Sequence, residues 1–151
     1  MAVEFRLTLA GDIPLEQMAE LAAPEATEKP TLPGQSRLLS ADLYEQRGYA
    51  VSITAGSHGY YDAEDDDGSR WEWEPDTYVN VGFRMRADDM GDKGIPNMLA
   101  TVARVLDDRA EDAALVQDGN WLLLTRVAGT LRKHNPALWH DGAFDNIPPG
   151  E

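Results

Sequence analysis

Between Tyr49 and Arg86 apolar and polar side chains alternate through four short runs, and no other feature of this 151-residue chain limits its fold so strongly. A period of two belongs to strands, whose successive side chains leave opposite faces of a sheet. Pairing neighbouring runs in turn yields one common register. A tight connection at Gly56 to His58 puts Tyr61 opposite Ile53 and Ala63 opposite Val51. The loop DDDGS then pairs Ala63 with Trp71 and Tyr61 with Trp73, while Glu64 meets Arg70 and Asp62 meets Glu72. A third connection, Pro75 to Thr77, sets Trp73 against Val79 and Trp71 against Val81, leaving Glu72 with Asn80 and Glu74 with Tyr78. A slip of one residue would turn every side chain over, so three agreeing turns support an antiparallel meander with an apolar face and an acidic face.

The remaining segments supply further strands and two helices. VEFRLTL, residues 3 to 9, alternates Val3, Phe5, Leu7 and Leu9 against Glu4, Arg6 and Thr8, as a strand with one buried face would. Gly11 breaks it, Asp12 can cap, Pro14 suits a first helical turn, and LEQMAELA places Leu15, Met18, Ala19 and Ala22 at helical spacing. Residues 23 to 36 hold three prolines and read as an irregular connection; residues 40 to 47 read as a helical turn ending at Gly48. IPNMLATVARVLDD recurs at helical spacing through Ile95, Leu99, Val102, Ala103 and Leu106. AALVQ and NWLLLTRV flank Asp118-Gly119, a dipeptide that favours a tight hairpin turn. TLRKHNPALWHDGAFDNIPPGE fades into a tail, loop-rich after about residue 134. The expected architecture is a single α+β domain over residues 1 to 151: an antiparallel meander sheet with two helices packed on its apolar face.

A chain of this length buries about 70% of its unfolded surface in one ordinary core. Its net charge of −14 is less ordinary, and residues 62 to 76 contribute eight acids against one arginine, half of the excess in a tenth of the length. An acidic surface repels nucleic acid and anionic membrane and complements basic proteins or cations. No apolar run approaches the roughly 18 residues of a membrane span. The N-terminus lacks the basic and apolar regions of a signal peptide, and no cysteine is present for disulfides, thiol chemistry or thiolate metal sites. A cytoplasmic location is the expectation.

The acidic stretch YYDAEDDDGSRWEWEPD, residues 60 to 76, admits three chemical readings. As an EF-hand with Gly68 sixth, it would need a carboxylate where Ala63 stands and helices where strands are predicted, so only a looser calcium site at Asp65, Asp66 and Asp67 stays open. Asp62 and Glu72, about 5 Å apart across a strand pair, match the carboxylate spacing of retaining glycosidases. General acid work, however, needs a desolvated carboxyl, and an open sheet face offers none. A basic protein partner is the third reading: Asp62, Glu64, Asp65, Asp66, Asp67, Glu72 and Glu74 supply charge, and Tyr60 and Tyr78 supply aromatic contact area. The bland alternative is a solvated edge whose charge discourages aggregation. His58, His134 and His140 share no metal-ligand spacing and read as exposed; Trp71, Trp73 and Trp121 fall on predicted apolar faces. No cofactor motif is present.

EFRLTLAGD, LSADLYEQRGYAVSI, WEWEPDTYVNVGFRM, NMLATVARVL and EDAALVQDGNWLLLTRVAG, in that order, resemble the Sit-type immunity proteins, which protect bacteria against swarming-inhibition toxins delivered by kin competitors. The likeness covers most of the chain but not residues 23 to 36 or the tail after His134, and it carries no catalytic signature. It implies a small cytoplasmic protein that binds and neutralises a cognate protein toxin stoichiometrically and is not an enzyme. The charge distribution adds that a basic toxin would meet the acidic sheet face. The competing class is a cation-binding or carboxylate-based enzymatic domain using the same cluster.

Overall fold

The computed structural model describes residues 2–65 and 67–135. Its elements are β1 (Ala2–Ala10), α1 (Leu15–Ala22), β2 (Thr27–Lys29), β3 (Leu38–Leu43), α2 (Tyr44–Arg47), β4 (Tyr49–Ser57), β5 (Tyr61–Glu64), β6 (Arg70–Trp73), β7 (Thr77–Arg86), α3 (Ala87–Asp89), a π-helical turn over Met90–Gly94, α4 (Ile95–Asp108), β8 (Ala113–Gln117), β9 (Trp121–Val127) and β10 (Thr130–Lys133). The strands form one sheet in the order β2-β3-β4-β7-β1-β8-β9-β5-β6, with β10 on β9. Every pairing is antiparallel except a single parallel bridge, Glu64 to Trp121, between β5 and β9. The sheet is therefore mixed, which corrects the expectation of a purely antiparallel meander.

β1 lies near the middle, between β7 and β8. Its alternation sorts its side chains: Val3, Phe5, Leu7 and Leu9 enter the main core, and Glu4, Arg6 and Thr8 leave the opposite face. β7 does likewise with Val79, Val81, Phe83 and Met85, and β4 with Tyr49, Val51 and Ile53. Leu15, Met18, Ala19 and Ala22 of α1 and Ile95, Met98, Leu99, Val102, Val105 and Leu106 of α4 belong to the same buried cluster. The Tyr49 hydroxyl, inside that core, shares a hydrogen bond of 3.2 Å with the Thr101 hydroxyl on α4. Both helices begin and end where their periodicity predicts. The Asp118-Gly119 turn is also as expected, with positive φ at both residues, 53° and 71°.

Two of the three predicted strand pairings in the meander are different. β4 does not turn at Gly56 to His58; it pairs along its length with β7, from Tyr49–Met85 to Ser57–Thr77. The ladder runs on through His58 N–H to the Asp76 carbonyl and Gly59 N–H to the Pro75 carbonyl. Ile53 thus lies opposite Val81 and Val51 opposite Phe83, while Val79 faces Ala55 and Leu9, with no tryptophan beside it. Only the middle hairpin keeps its predicted register: Tyr61–Trp73, Asp62–Glu72, Ala63–Trp71 and Glu64–Arg70. Residues 60 to 74 are an excursion from a long β4–β7 hairpin. Lengthening a loop costs little closure entropy, and nineteen strand residues that bury matching apolar sets more than offset it.

Smaller departures follow from the same competition. Residues 40–43 extend β3 and only 44–47 are helical, ending at Gly48 as expected with φ 87°. β2 lies inside the segment read as irregular, on β3. β10 precedes the tail: Ala128 and Gly129 turn with φ 51° and 86°, a conformation that alanine seldom adopts and that hid the hairpin. Arg126, 9% exposed, fastens the α4–β8 connection by donating to the Leu106 carbonyl at 2.6 Å and the Glu111 carbonyl at 2.8 and 2.9 Å. Burial pushes its guanidinium below the ordinary arginine value, with the charges of Glu111 and Asp112 opposing the shift.

Gly48 ties α2 to the start of α4. A Cβ there would meet the Gly94 backbone nitrogen at 2.8 Å, on a residue whose φ is already left-handed. Gly48→Ala should lower unfolding free energy by about 1–3 kcal/mol or more. The check is a lower denaturant midpoint with an unchanged m-value.

Candidate functional site

The β5–β6 hairpin lies over part of the sheet face that bears no helices. Its odd-numbered residues face inward: Ala63 is buried with Ala114, Val116 and Leu122, and Trp71 and Trp73 pack on that small second core with ring centroids 5.9 Å apart. Tyr61 joins them, 6.2 Å from Trp73, and covers the Arg6 guanidinium at 4.6 Å. Beneath it Asn80 donates to the Tyr61 hydroxyl at 3.1 Å and accepts from Thr8 at 2.6 Å. Burial raises the Tyr61 phenol above its ordinary value, although the Asn80 hydrogen bond works the other way. The Glu64 N–H donates to the Asn120 carbonyl at 2.7 Å and stitches β5 to the β8–β9 turn.

With the odd residues inside, the even ones face out. Asp62 stands directly across from Glu72, and both accept from the Tyr60 hydroxyl, Glu72 at 3.0 Å and Asp62 at 3.5 Å. Arg70 forms an ion pair with Asp62. Arg84 approaches Glu4 at 3.9 Å. Tyr60, Glu64, Glu72 and Glu74 are exposed and Asp62 is partly so, which makes one anionic plane with an aromatic ring at its margin.

The loop between the strands is built from its own acids. The Ser69 N–H donates to the Asp67 carboxylate at 2.9 Å, and hydrogen bonds from Ser69 hold that exposed carboxyl below its ordinary value. Asp65 accepts from Gly68 through its carbonyl at 3.0 Å. Its side chain shares a 2.7 Å hydrogen bond with His134 Nδ1, whose ring reaches the Thr125 hydroxyl through Nε2 at 2.8 Å. Asp66 lies outside the described residues. Tyr78 sits apart from Tyr60, in the junction between the hairpin and the β4–β7 ladder, edge-on to Tyr61 at 5.5 Å and against Gly56 and Gly59. The expected pairing of Glu74 with Tyr78 is thereby corrected.

Sequence reasoning also misplaced two residues. His134 is 3% exposed, a tether between the acidic loop and β9, where an exposed tail residue was expected. Its signal is the alternation of TLRKH after Gly129. Trp121, expected in a core, is 37% exposed at the parallel bridge. His58 is exposed; His140 and Trp139 lie outside the described residues.

Among the described residues no three His, Asp or Glu side chains are grouped to hold a metal ion. The large cleft elsewhere on the sheet is lined by none of the hairpin's acids. Carboxylates on an exposed strand face suit ionic and hydrogen-bonded contact with cationic side chains better than proton transfer.

The fold and this surface define a mostly-sheet domain that offers an acidic hairpin face. The model of the SitI3-like family matches residues 3–143, so the chain belongs to that family. No curated protein and no solved structure matches it.

Two measurements probe how the hairpin is seated. Tyr61 has a raised folded value, so the stability it contributes is fully present below about pH 10, where unfolded tyrosine titrates, and is lost as pH rises through the folded value. Tyr61→Phe should remove a late-titrating phenol from the alkaline absorbance curve and flatten the fall in stability above that pH. His134→Ala removes the hydrogen bonds to Asp65 and Thr125 and should cost about 1–3 kcal/mol, read as a lower denaturant midpoint.

Proposed function

We propose that this chain is an immunity protein that binds a cognate protein toxin and neutralises it stoichiometrically, acting in the cytoplasm without catalysis. Membership of the SitI3-like family supports a role in immunity. The partner's chemistry is argued from charge. The observation that carries it is the direct apposition of Asp62 and Glu72 on the outward side of a hairpin whose inward side is buried. Like charges directly opposite each other destabilise a strand pair, by up to about 1 kcal/mol, and nothing in the fold requires them. Arg70 pairs with Asp62, and one arginine beside this cluster leaves net negative charge that attracts a cation outside the chain.

On this reading the toxin is basic, and Asp62, Glu64, Glu72 and Glu74 form the centre of the interface. Tyr60, 53% exposed and already hydrogen-bonded to Glu72, supplies rigid contact area beside them. Asp65, Asp66 and Asp67 add long-range field at the hairpin tip, steering encounter more than holding the complex. Tyr78 contributes by supporting Tyr61 from below.

Co-expression of this protein with its cognate toxin should restore growth of cells that the toxin otherwise arrests. Asp62→Lys with Glu72→Lys should weaken the complex at least tenfold, about 1.4 kcal/mol, and accelerate its dissociation while the circular dichroism spectrum is unchanged. Full affinity in the folded double variant would remove this face from the interface.

A further inference from the structure

The sheet ends on one side at β6, the last strand in its order. Along an antiparallel ladder hydrogen-bonded and non-hydrogen-bonded residue pairs alternate, and residues of the second kind turn their N–H and C=O groups away from the partner strand. Two bonds fix the phase in this hairpin. The Asp65 N–H donates across it to the Ser69 carbonyl at 2.9 Å, and the Glu64 N–H donates away from it to the Asn120 carbonyl at 2.7 Å. Glu64 with Arg70 is therefore a non-hydrogen-bonded pair, and so is Asp62 with Glu72, two residues further on. The N–H and C=O groups of Arg70 and Glu72 point out from the free edge, where among the described residues no other main chain meets them.

An open edge is a template for another strand, and its side chains decide which strand it admits. On the inward side Trp71 and Trp73 are half-buried, so part of each indole is left for an apolar side chain set beside it. On the outward side Glu72 is exposed next to Asp62, whose partner is Arg70. A second copy of this chain would bring its own acids against this row, and like charges in register oppose pairing. A strand with a cation opposite Glu72 and aliphatic residues opposite both indoles reverses that sign. Because β6 spans only Arg70–Trp73, main-chain bonds at two residues hold little alone, and the side-chain match confers the selectivity.

We infer that β6 receives an extended segment of the toxin as an added antiparallel strand, with lysine or arginine opposite Glu72 and aliphatic side chains opposite Trp71 and Trp73. The inference rests on the reading of the acidic plane as the toxin-binding surface and assigns the backbone geometry by which that surface is met. The edge is preformed, since the same indoles that line it seat the hairpin on Ala114, Val116 and Leu122.

The test needs no toxin. The probe is acetyl-Lys-Val-Lys-Val-Thr-amide, whose central lysine falls opposite Glu72 and whose valines fall opposite Trp73 and Trp71, titrated into the full chain at low salt with NMR observation of backbone amides. It should shift the Arg70 and Glu72 amides and slow their exchange with solvent at low millimolar concentration. The same peptide methylated on the central lysine nitrogen, the peptide with glutamate for both lysines, and the reordered acetyl-Lys-Lys-Thr-Val-Val-amide should each bind at least tenfold more weakly. In the protein, Arg70→Pro removes an N–H that faces solvent on an edge strand, a position that tolerates proline. It should weaken binding at least tenfold relative to Arg70→Ala, which loses the same charge and keeps the N–H. Equal binding of the methylated or the reordered peptide, an undiminished response in folded Arg70→Pro, or silence of the Arg70 and Glu72 amides would each overturn the assignment. Self-association of the free protein that Arg70→Pro abolishes would give the edge to a second copy and overturn it too. The toxin complex of the Asp62→Lys, Glu72→Lys variant tests the acidic plane itself, so the two readings fail separately.

Discussion

The seating of Trp71, Trp73, Tyr61 and Ala63 on Ala114, Val116 and Leu122 governs what this molecule shows to its surroundings. Side chains on a strand alternate strictly, so burying one parity of the hairpin commits the other to solvent. Burial of the indoles favours the hairpin by several kcal/mol on area grounds, with about 0.5–1.5 kcal/mol more for each well-placed ring pair. Against that gain, the repulsion between Asp62 and Glu72 is a small charge, softened by Arg70 and by the Tyr60 hydroxyl. Apolar chemistry below therefore sustains an electrostatic arrangement above that could not sustain itself.

How the hairpin reaches that seat explains what was legible in the sequence and what was not. Within residues 60 to 74 every relevant signal is local: alternation, a Gly-containing loop of five residues, and aromatics of one parity. The register, the outward acids and the buried side of the indoles could all be read. Where the hairpin docks is decided elsewhere. Val79 and Val81 prefer Ala55 and Ile53 over Trp73 and Trp71 because the former complete a continuous face for the main core, whose other lining comes from β1, α1 and α4, distant in sequence. Choosing the nearest neighbour is a sound rule for an isolated meander and fails when a long hairpin carries a shorter one at its tip. His134 was missed for a related reason: a strand that begins after an alanine in the left-handed region gives no conventional turn signal. Helices α1 and α4 were readable because a 3.6-residue period over 8 and 14 residues needs no partner to be recognised.

The charge of the chain is distributed in two different ways. Several cations serve the fold: Arg37, Arg47 and Arg109 pair with Glu16, Glu28, Glu25 or Glu111 along connections, and Lys93, Arg104 and Arg126 bond main-chain carbonyls. The acids of β5 and β6 have too few cations to serve, since Arg70 is the one base among them. Surface pairs of the first kind are worth little individually and screen out in salt. A one-sided plane behaves differently: its field adds, which favours a distant basic partner and disfavours a nucleic acid or an anionic membrane.

Rigidity distinguishes the acidic plane from an ordinary charged loop. β5 is held to β9 by the Glu64–Trp121 bridge and the Asn120 hydrogen bond, the loop is held to β9 by His134 through Asp65 and Thr125, and the base of the hairpin is held to β1 and β7 by Tyr61 through Arg6 and Asn80. Ordering a rotamer-rich side chain or a loop on association costs about 0.5–1.5 kcal/mol for each side chain immobilised. A surface whose main chain is fixed from three directions, and whose central carboxylates already share a hydroxyl, has met much of that cost during folding. On the proposed reading the acids of this hairpin are a preformed template, on which affinity would depend more on how a partner's cations fit the spacing of Asp62, Glu64, Glu72 and Glu74 than on how many cations it carries.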